Sequence, residues 1–327
     1  MTEEAYAKLV EPYRGELHAH CYRMLGSVHD ADDALQEALL RAWRAYEKFE
    51  GRSSLRSWLY RIATNVCLRF IERRPRQVLP IDFEGASDPH DGLADEIRDV
   101  PWMEPYPDAA LEAGYAAPEA RYERRESVEL AFVAALQHLP ARQRAVLILR
   151  DVLGFSGAEV AEQLDATPEA VYSALQRAHK AVDERLPERS QQEALRTIGD
   201  ERLRELVSSY VDAWERGDVD AVVSLLAEDA SMAMPPIPTW YAGREDVVAF
   251  LRATPMAGDV RWRVLETSAS GQVGLAYYLW DDDEEAFLAH GINVLDVDGA
   301  GGRVTAIMAF LEPELHARFG LPGRVSP

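Results

Sequence analysis

The chain has 327 residues and carries 56 Asp and Glu against 35 Lys and Arg, a formal net charge of −21. That length is too great for one ordinary domain, and that acidity excludes an unaided, high-affinity nucleic-acid binder, because phosphate repels it. Cys21 and Cys67 are isolated from each other in sequence, which argues against a disulfide framework or a cysteine-based zinc site and fits a reducing, cytoplasmic setting. No apolar run approaches the ~20 residues of a membrane span, and the N-terminus lacks the apolar segment of a signal peptide.

Taken in chain order, residues 6–25 read as a helix with Tyr6, Leu9, Val10, Tyr13, Leu17, Cys21 and Leu25 near one face; Pro12 either kinks it or marks its true start. Gly26 and Ser27 end it. A second helix covers 30–46, with Ala34, Leu35, Ala38, Leu39, Ala42, Trp43 and Tyr46 at helical spacing and acids at its start, where the helix dipole favours them. A polar break at 50–54 follows, with Ser54 as the next N-cap. The third helix buries Leu55, Trp58, Leu59, Ile62, Ala63, Val66 and Phe70, and its polar side carries Arg56, Arg61, Asn65, Arg69, Arg73 and Arg74. Between residues 41 and 76 ten Lys and Arg face three Glu, a local balance of +7 inside an acidic chain. Such a block is either a solvated face or a phosphate-binding surface. Phe49, Trp58 and Tyr60 among the arginines favour the second, because rings stack on unpaired bases while guanidinium groups hold the backbone.

Residues 75–118 are dense in Pro, Gly and Asp and keep no helical period, which predicts a linker. From 80 to 129 fourteen acids face four arginines. The segment is either a solvated spacer or a docking strand. The apolar knot at 100–107 (VPWMEPYP) favours docking, on a partner or on another domain of this chain.

Helical periodicity returns over 121–186. Val128, Phe132, Ala135, Leu136 and Leu139 form one face; Pro140 opens a helix that Gly154 closes. Ser156 and Glu159 have capping-box spacing. After a three-residue turn, Thr167 as N-cap and Pro168 at the first helical position start another helix. Two short helices joined this way predict a helix-turn-helix. The second helix turns Val171, Leu175, Ala178 and Val182 inward and Tyr172, Ser173, Gln176, Arg177 and Lys180 outward, where Gln and Arg can read bases or hold phosphates.

A polar connector at 187–198 leads to a further ~130 residues, the size of another domain. Helices are expected at 201–214, 219–226 and 244–252, then strands near 260–267, 273–280, 286–297 and 304–311, with turns at Ser270-Gly271 and 299–302. Helices followed by a run of antiparallel strands predict an α+β cone.

The stretch from Asp30 to Ile71 resembles region 2 of the extracytoplasmic-function (ECF) sigma factors of bacterial RNA polymerase. It keeps Asp30, Asp33, Gln36, Glu37, Trp43, Phe49, Gly51, Trp58, Leu59, Ile62, Ala63 and Asn65 of the family pattern, with Leu55 where Phe is common. The helix-turn-helix resembles region 4, although Tyr172 and Ala174 stand where basic residues are usual, which leaves the DNA sequence it reads open. The segments WERGDVDAVVSLLAEDASM and WYAGREDVVAFL resemble the SnoaL-like, NTF2-fold family. Together with the WMEPYPD motif and the closing FGLPG, they resemble the sigma-G-like group of ECF factors with a fused SnoaL-like domain.

The resemblance implies a multidomain protein with two all-α sigma domains, a region 2 helical bundle at 1–76 and a region 4 helix-turn-helix at 121–188. An acidic linker at 77–120 joins them, and a C-terminal α+β NTF2/SnoaL-like cone at 200–327 follows. It further implies a non-enzymatic partner of the RNA polymerase core (beta and beta-prime subunits) and of promoter DNA, with no cofactor and no metal. Asp30, Asp33, Gln36, Glu37, Leu40 and Trp43 would meet the core. Phe49, Arg52, Arg56, Asn65, Arg69, Arg73 and Arg74 would meet the −10 element, Phe49 and Asn65 lining a pocket for a flipped-out base. Tyr172, Ser173, Gln176, Arg177 and Lys180 would meet the −35 element. Trp214, Met234, Trp240, Tyr241, Tyr277 and His290 are candidates to line a pocket in the cone for a small molecule, and a regulatory protein could also dock on that domain. Two rival readings stay open: a ligand-responsive helix-turn-helix regulator, and enzyme activity in the SnoaL-like domain.

Overall fold

A computed structural model describes residues 2–51, 53–112 and 125–327. The chain forms two compact units: residues 1–77 with 108–188, and residues 78–107 with 189–327.

The first unit is helical. Helix α1 (Glu3–Val10) passes through a tight 3-10 turn at Glu11–Tyr13, with Pro12 inside it, into α2 (Arg14–Leu25). Pro12 therefore splits the expected first helix, as a residue without an N–H must when it falls inside a helical run. Gly26 takes φ 76 and closes α2 in the left-handed conformation, the usual role of Gly at a helix end. Ser27 then accepts from the Asp30 amide and starts α3 (Val28–Ala45). Ser54 accepts from the Ser57 amide and starts α4 (Leu55–Arg73). Helices α2, α3 and α4 pack on one another around Leu17, Cys21, Met24, Ala31, Ala34, Leu59, Ala63, Val66 and Cys67, all buried.

The helix-turn-helix module of the same unit holds α5 (Leu130–Gln137), α6 (Ala141–Leu147), α7 (Gly157–Gln163) and α8 (Pro168–Asp183). Both expected caps are present. Ser156 accepts from the Glu159 amide at 3.2 Å while the Glu159 carboxylate accepts from the Ser156 amide at 2.8 Å, and Thr167 accepts from the Ala170 amide ahead of Pro168.

In the second unit, α9 (Gln191–Ile198), α10 (Asp200–Glu215), α11 (Val219–Leu225) and α12 (Arg244–Ala253) accompany a seven-stranded sheet. The strands are β1 (Leu226–Ala233), β2 (Trp240–Ala242), β3 (Trp262–Ala269), β4 (Gln272–Asp281), β5 (Ala286–Val297), β6 (Val304–Phe310) and β7 (Arg324–Val325), in the order β2-β1-β6-β5-β4-β3 with β7 on β5. The four expected strands are all present. The sheet is mixed rather than wholly antiparallel, because β1 runs parallel to β6. Strand β1 is also where sequence reasoning fell short: LAEDASMA has weak β-propensity, and pairing with β6 and β2 makes it a strand. The β3–β4 turn uses Ser270 at φ 56 and Gly271 at φ 71, the left-handed pair of a tight hairpin. One face of the sheet and the helices enclose a core that includes Tyr210, Trp214, Met232, Tyr241, Phe250, Trp262 and Tyr277.

The acidic segment at 78–107 belongs to this second unit, so of its two expected destinations the structure shows a domain of the same chain. The Val78 amide donates to Pro101 O and the Met103 amide to Val78 O, which folds the segment back on itself. Trp102, Met103 and Tyr106 are buried. The Tyr106 amide donates to Ser270 Oγ at 2.9 Å, and the Ser270 amide returns a bond to Tyr106 O at 2.7 Å. Amides of Ser87, Ala94 and Ile97 donate to Trp240 O, Thr239 Oγ1 and Pro236 O. Of the two readings of this segment, the docking one holds: residues 78–107 form an ordered strap on the C-terminal domain. Residues 113–124 lie outside the described residues.

Candidate nucleic-acid interface

Helix α8 presents its expected outer face in full. Tyr172, Ser173, Gln176, Arg177 and Lys180 are exposed, Tyr172 at 66 %, while Val171, Ala178 and Val182 are buried and Leu175 is half-buried. The face is open because the inner residues recur at helical spacing, which leaves the intervening positions outward. Beside it, His179 Nε2 lies 2.5 Å from the Asp151 carboxylate.

Helix α4 is different. Its Arg56 Nε donates to both Glu16 carboxylate oxygens, at 3.1 and 3.2 Å, and its guanidinium lies 4.9 Å from the Tyr60 ring and 5.0 Å from the Phe155 ring. Arg61 pairs with Asp165, in the turn of the helix-turn-helix, at 2.9 Å. Ser57 Oγ accepts from Gln163 Nε2 of α7 at 3.1 Å. Phe155, itself buried, meets Tyr60 edge-on at 5.4 Å. The start of α4 is therefore covered by the helix-turn-helix module of the same unit. Asn65 is half-buried; Arg69 and Arg73 are exposed. Arg74 pairs with the Asp30 carboxylate and lies over Phe70 at 5.2 Å. Phe49 packs at 4.9 Å on Trp58 within a ring cluster that runs through Tyr46 to Tyr6 and Trp43. Arg52 lies outside the described residues.

On α3, Asp33, Gln36 and Leu40 are exposed, Leu40 at 49 %, and Glu37 is half-buried and paired with Arg41. Trp43 is half-buried against Tyr6. These positions share one stripe of the helix, as three- and four-residue spacing requires. Asp30 does not join them, since Arg74 and Gln77 both donate to its carboxylate.

Sequence reasoning missed the residues that close the first unit. Glu16, His20 and Arg23 are all buried on α2. Their i, i+4, i+7 spacing puts them on one face, which reads as a solvated stripe. Glu16 holds Arg56, His20 Nε2 lies 2.9 Å from Thr64 Oγ1, and Arg23 donates to Ser127 at both its carbonyl and its hydroxyl. Burial, aided by Arg23 and Arg56, pulls the His20 pKa down to about 3. The ring is therefore neutral at physiological pH.

In the cone, the six candidate pocket residues divide. Trp214 and Tyr277 stack edge-on at 5.0 Å in the core, with Trp262 against both and His290 on Trp262 at 5.1 Å. Burial pushes the Tyr277 hydroxyl far above its usual range, reinforced by Tyr210, and lowers the His290 pKa, reinforced by His316. Met234 and Tyr241 are buried too, Tyr241 stacked on Phe250 at 4.9 Å. Trp240 faces the strap instead: its indole N–H donates to Glu84 O at 2.8 Å. Among the described residues no group of His, Cys, Asp and Glu has metal-binding geometry, and no helix is long and apolar enough to cross a membrane.

Comparison with known proteins agrees with this division. The sigma-70 region 2 model matches residues 9–77, the sigma-70 region 4 model residues 129–182, and the SnoaL-like domain model residues 207–307. The ECF RNA polymerase sigma factor SigG of Mycobacterium tuberculosis (strain H37Rv) is 44 % identical over 313 residues, which span 95 % of this chain and 82 % of that protein. The ECF RNA polymerase sigma factor SigW of Bacillus subtilis is 38 % identical over 84 residues, 25 % of this chain and 45 % of that one. The crystal structure of the M. tuberculosis ECF sigma factor SigJ superposes with a TM-score of 0.60 at 23 % identity, covering 97 % of this chain and 99 % of that one, which supports the fold.

Proposed function

The chain belongs to the ECF RNA polymerase sigma factors, and from that premise we propose that its free form holds its two promoter-reading modules against each other. As a sigma factor it directs the polymerase core to specific promoters. The observation that carries the proposal is the seam between α4 and the helix-turn-helix, where Arg56, Ser57, Tyr60 and Arg61 meet Phe155, Gln163 and Asp165. Elements named −10 and −35 lie about 25 base pairs apart, ~85 Å along B-form DNA at ~3.4 Å per base pair. Modules in direct contact cannot span that distance, so promoter engagement requires the seam to open.

On this reading Phe49, Arg56, Asn65, Arg69, Arg73 and Arg74 act on the −10 element, and Tyr172, Ser173, Gln176, Arg177 and Lys180 on the −35 element. Asp33, Gln36, Glu37, Leu40 and Trp43 form the patch for the core, with Asp30 becoming available once Arg74 moves to DNA. The protein works in the cytoplasm, where polymerase is. The SnoaL-like domain serves as a regulator in cis rather than as a catalyst. Its support is the strap: Trp240, Thr239 and Ser270 are used to hold residues 84–106. We propose that a small molecule bound beside Trp214 and Tyr277, which pack edge-on in the core, would tune this hold. The test is transcription in vitro with bacterial core polymerase over a promoter library, comparing the full chain with a 1–190 truncation. Specific initiation by both, differing in strength, is expected. Equal initiation would remove the regulatory role, and turnover by the full chain on cyclase or isomerase substrates would restore the enzymatic reading.

A further inference from the structure

A cavity of about 400 Å³ lies in the first unit, between the end of α4, the start of α3 and the turn joining α5 to α6. That volume suits one small molecule. Three guanidinium groups line it, from Arg74, Arg76 and Arg144, with one carboxylate, from Asp30. Asp30 is already paired with Arg74.

Arg144 is the unusual member. It is 3 % exposed, and its hydrogen bonds all end on neutral acceptors: Met24 O, the Gln137 side-chain and main-chain oxygens, and Leu139 O. Its Nε is buried with no acceptor. A buried cation without a counter-ion is costly. Arg76 adds a second cation, bonded to the His138 ring nitrogen at 2.9 Å rather than to a carboxylate. Burial and the Arg76 charge together bring the Arg144 pKa down to about 10. Gln77 Oε1, also on the wall, is buried and has no donor. The site therefore lacks one anion and, beside it, one hydrogen-bond donor. The Arg76 guanidinium can fork phosphate oxygens, Arg144 can add its one unused N–H, on Nε, and a hydroxyl next to a phosphate would meet Gln77.

We propose that this cavity binds a small phosphate-bearing metabolite, its phosphate between Arg76 and Arg144 and its body against Phe70 and Leu139. One wall comes from residues 25–77 and the other from residues 137–144, so the occupant staples the two helical modules together. The cavity shares Arg74 and Asp30 with the proposed promoter and core surfaces, but ligand binding is read without promoter or polymerase, so failure of this proposal and failure of the promoter reading are distinguishable.

The experiment is calorimetric titration of the full chain with two probes, inorganic phosphate and ribose 5-phosphate, with amide exchange measured alongside. Saturable binding at one site is expected, with exchange slowed in residues 70–77 and 137–144. Tighter binding of ribose 5-phosphate would identify an organic phosphate, and equal binding the free ion. Arg76→Glu should weaken binding at least about tenfold, and Ala141→Trp, which fills the cavity without changing charge, should abolish it. Arg73→Glu, outside the cavity, should leave it unchanged. No saturable binding of either probe would overturn the proposal, as would equal loss in Arg73→Glu, which marks a diffuse basic surface. If Arg76→Glu does not fold, Ala141→Trp decides, and retained binding there would also overturn it.

Discussion

The two promoter-facing helices stand in opposite conditions. On α8 every expected DNA contact is exposed, whereas at the start of α4 the arginines are bonded to Glu16 and Asp165 and covered by Phe155. Both are amphipathic helices with basic outer positions, so composition does not separate them. The difference lies in what α2 and the helix-turn-helix bring to α4: a buried carboxylate, an aromatic ring and a glutamine. An exposed basic helix binds when DNA arrives; a covered one must first be released. Substitutions on α4's partners should therefore act on stability and on module opening, and substitutions on α8 on DNA affinity alone.

The largest expected effect is at Phe155. Phe155→Ala removes a buried ring from the seam and should cost about 3–5 kcal/mol in urea denaturation, while raising the accessibility of α4 to modifying reagents. Acid should act next through His20. Its folded pKa, about 3, is below the unfolded value of about 6.5, so the unfolded state binds more protons between those values and stability falls as pH falls through that window. The slope approaches ~1.4 kcal/mol per pH unit, about 3 kcal/mol by pH 4. His20→Gln should flatten that dependence in denaturation series at several pH values. Glu16→Gln should cost about 1–2 kcal/mol, because Arg56 is partly exposed and recovers some hydration. Ser156→Ala removes half of the α7 capping box and should cost about 1 kcal/mol. At the small end, Arg177→Ala or Lys180→Ala should change stability by less than about 0.5 kcal/mol. Each should lower the salt slope of promoter binding by about 1, measured by titration of the holoenzyme on duplex DNA.

Much of this architecture was legible in the sequence because it follows local rules. Ser54, Ser156 and Thr167 stand at helix starts with their acceptor oxygens in place, Gly26 ends α2, and Ser270-Gly271 makes the hairpin; Ser27, which reads with Gly26 as a helix end, instead caps α3. The α8 surface was legible for the same reason, since its inner face is plainly apolar. Nothing local marks the cover on α4. Glu16, His20 and Arg23 look like a wet stripe, and only partners forty or more residues away, Arg56, Thr64 and Ser127, make burial affordable. The strap illustrates the same limit. Residues 78–107 lack periodicity because their hydrogen bonds go to Pro236, Thr239, Trp240 and Ser270 rather than to a repeating ladder of their own. Trp240 reads from the sequence as a candidate pocket wall, while its indole N–H donates to Glu84 O of the strap.

The most direct test of the covered α4 is a distance. Spin labels at Arg61→Cys and Asp165→Cys replace an exposed ion pair of little energetic weight, and native Cys21 and Cys67 are buried. Pulsed electron resonance on the free protein should give a short, narrow label separation, replaced by one several tens of ångströms longer when core polymerase and promoter DNA are added. A long separation in the free protein, or an unchanged short one in the promoter complex, would contradict the account.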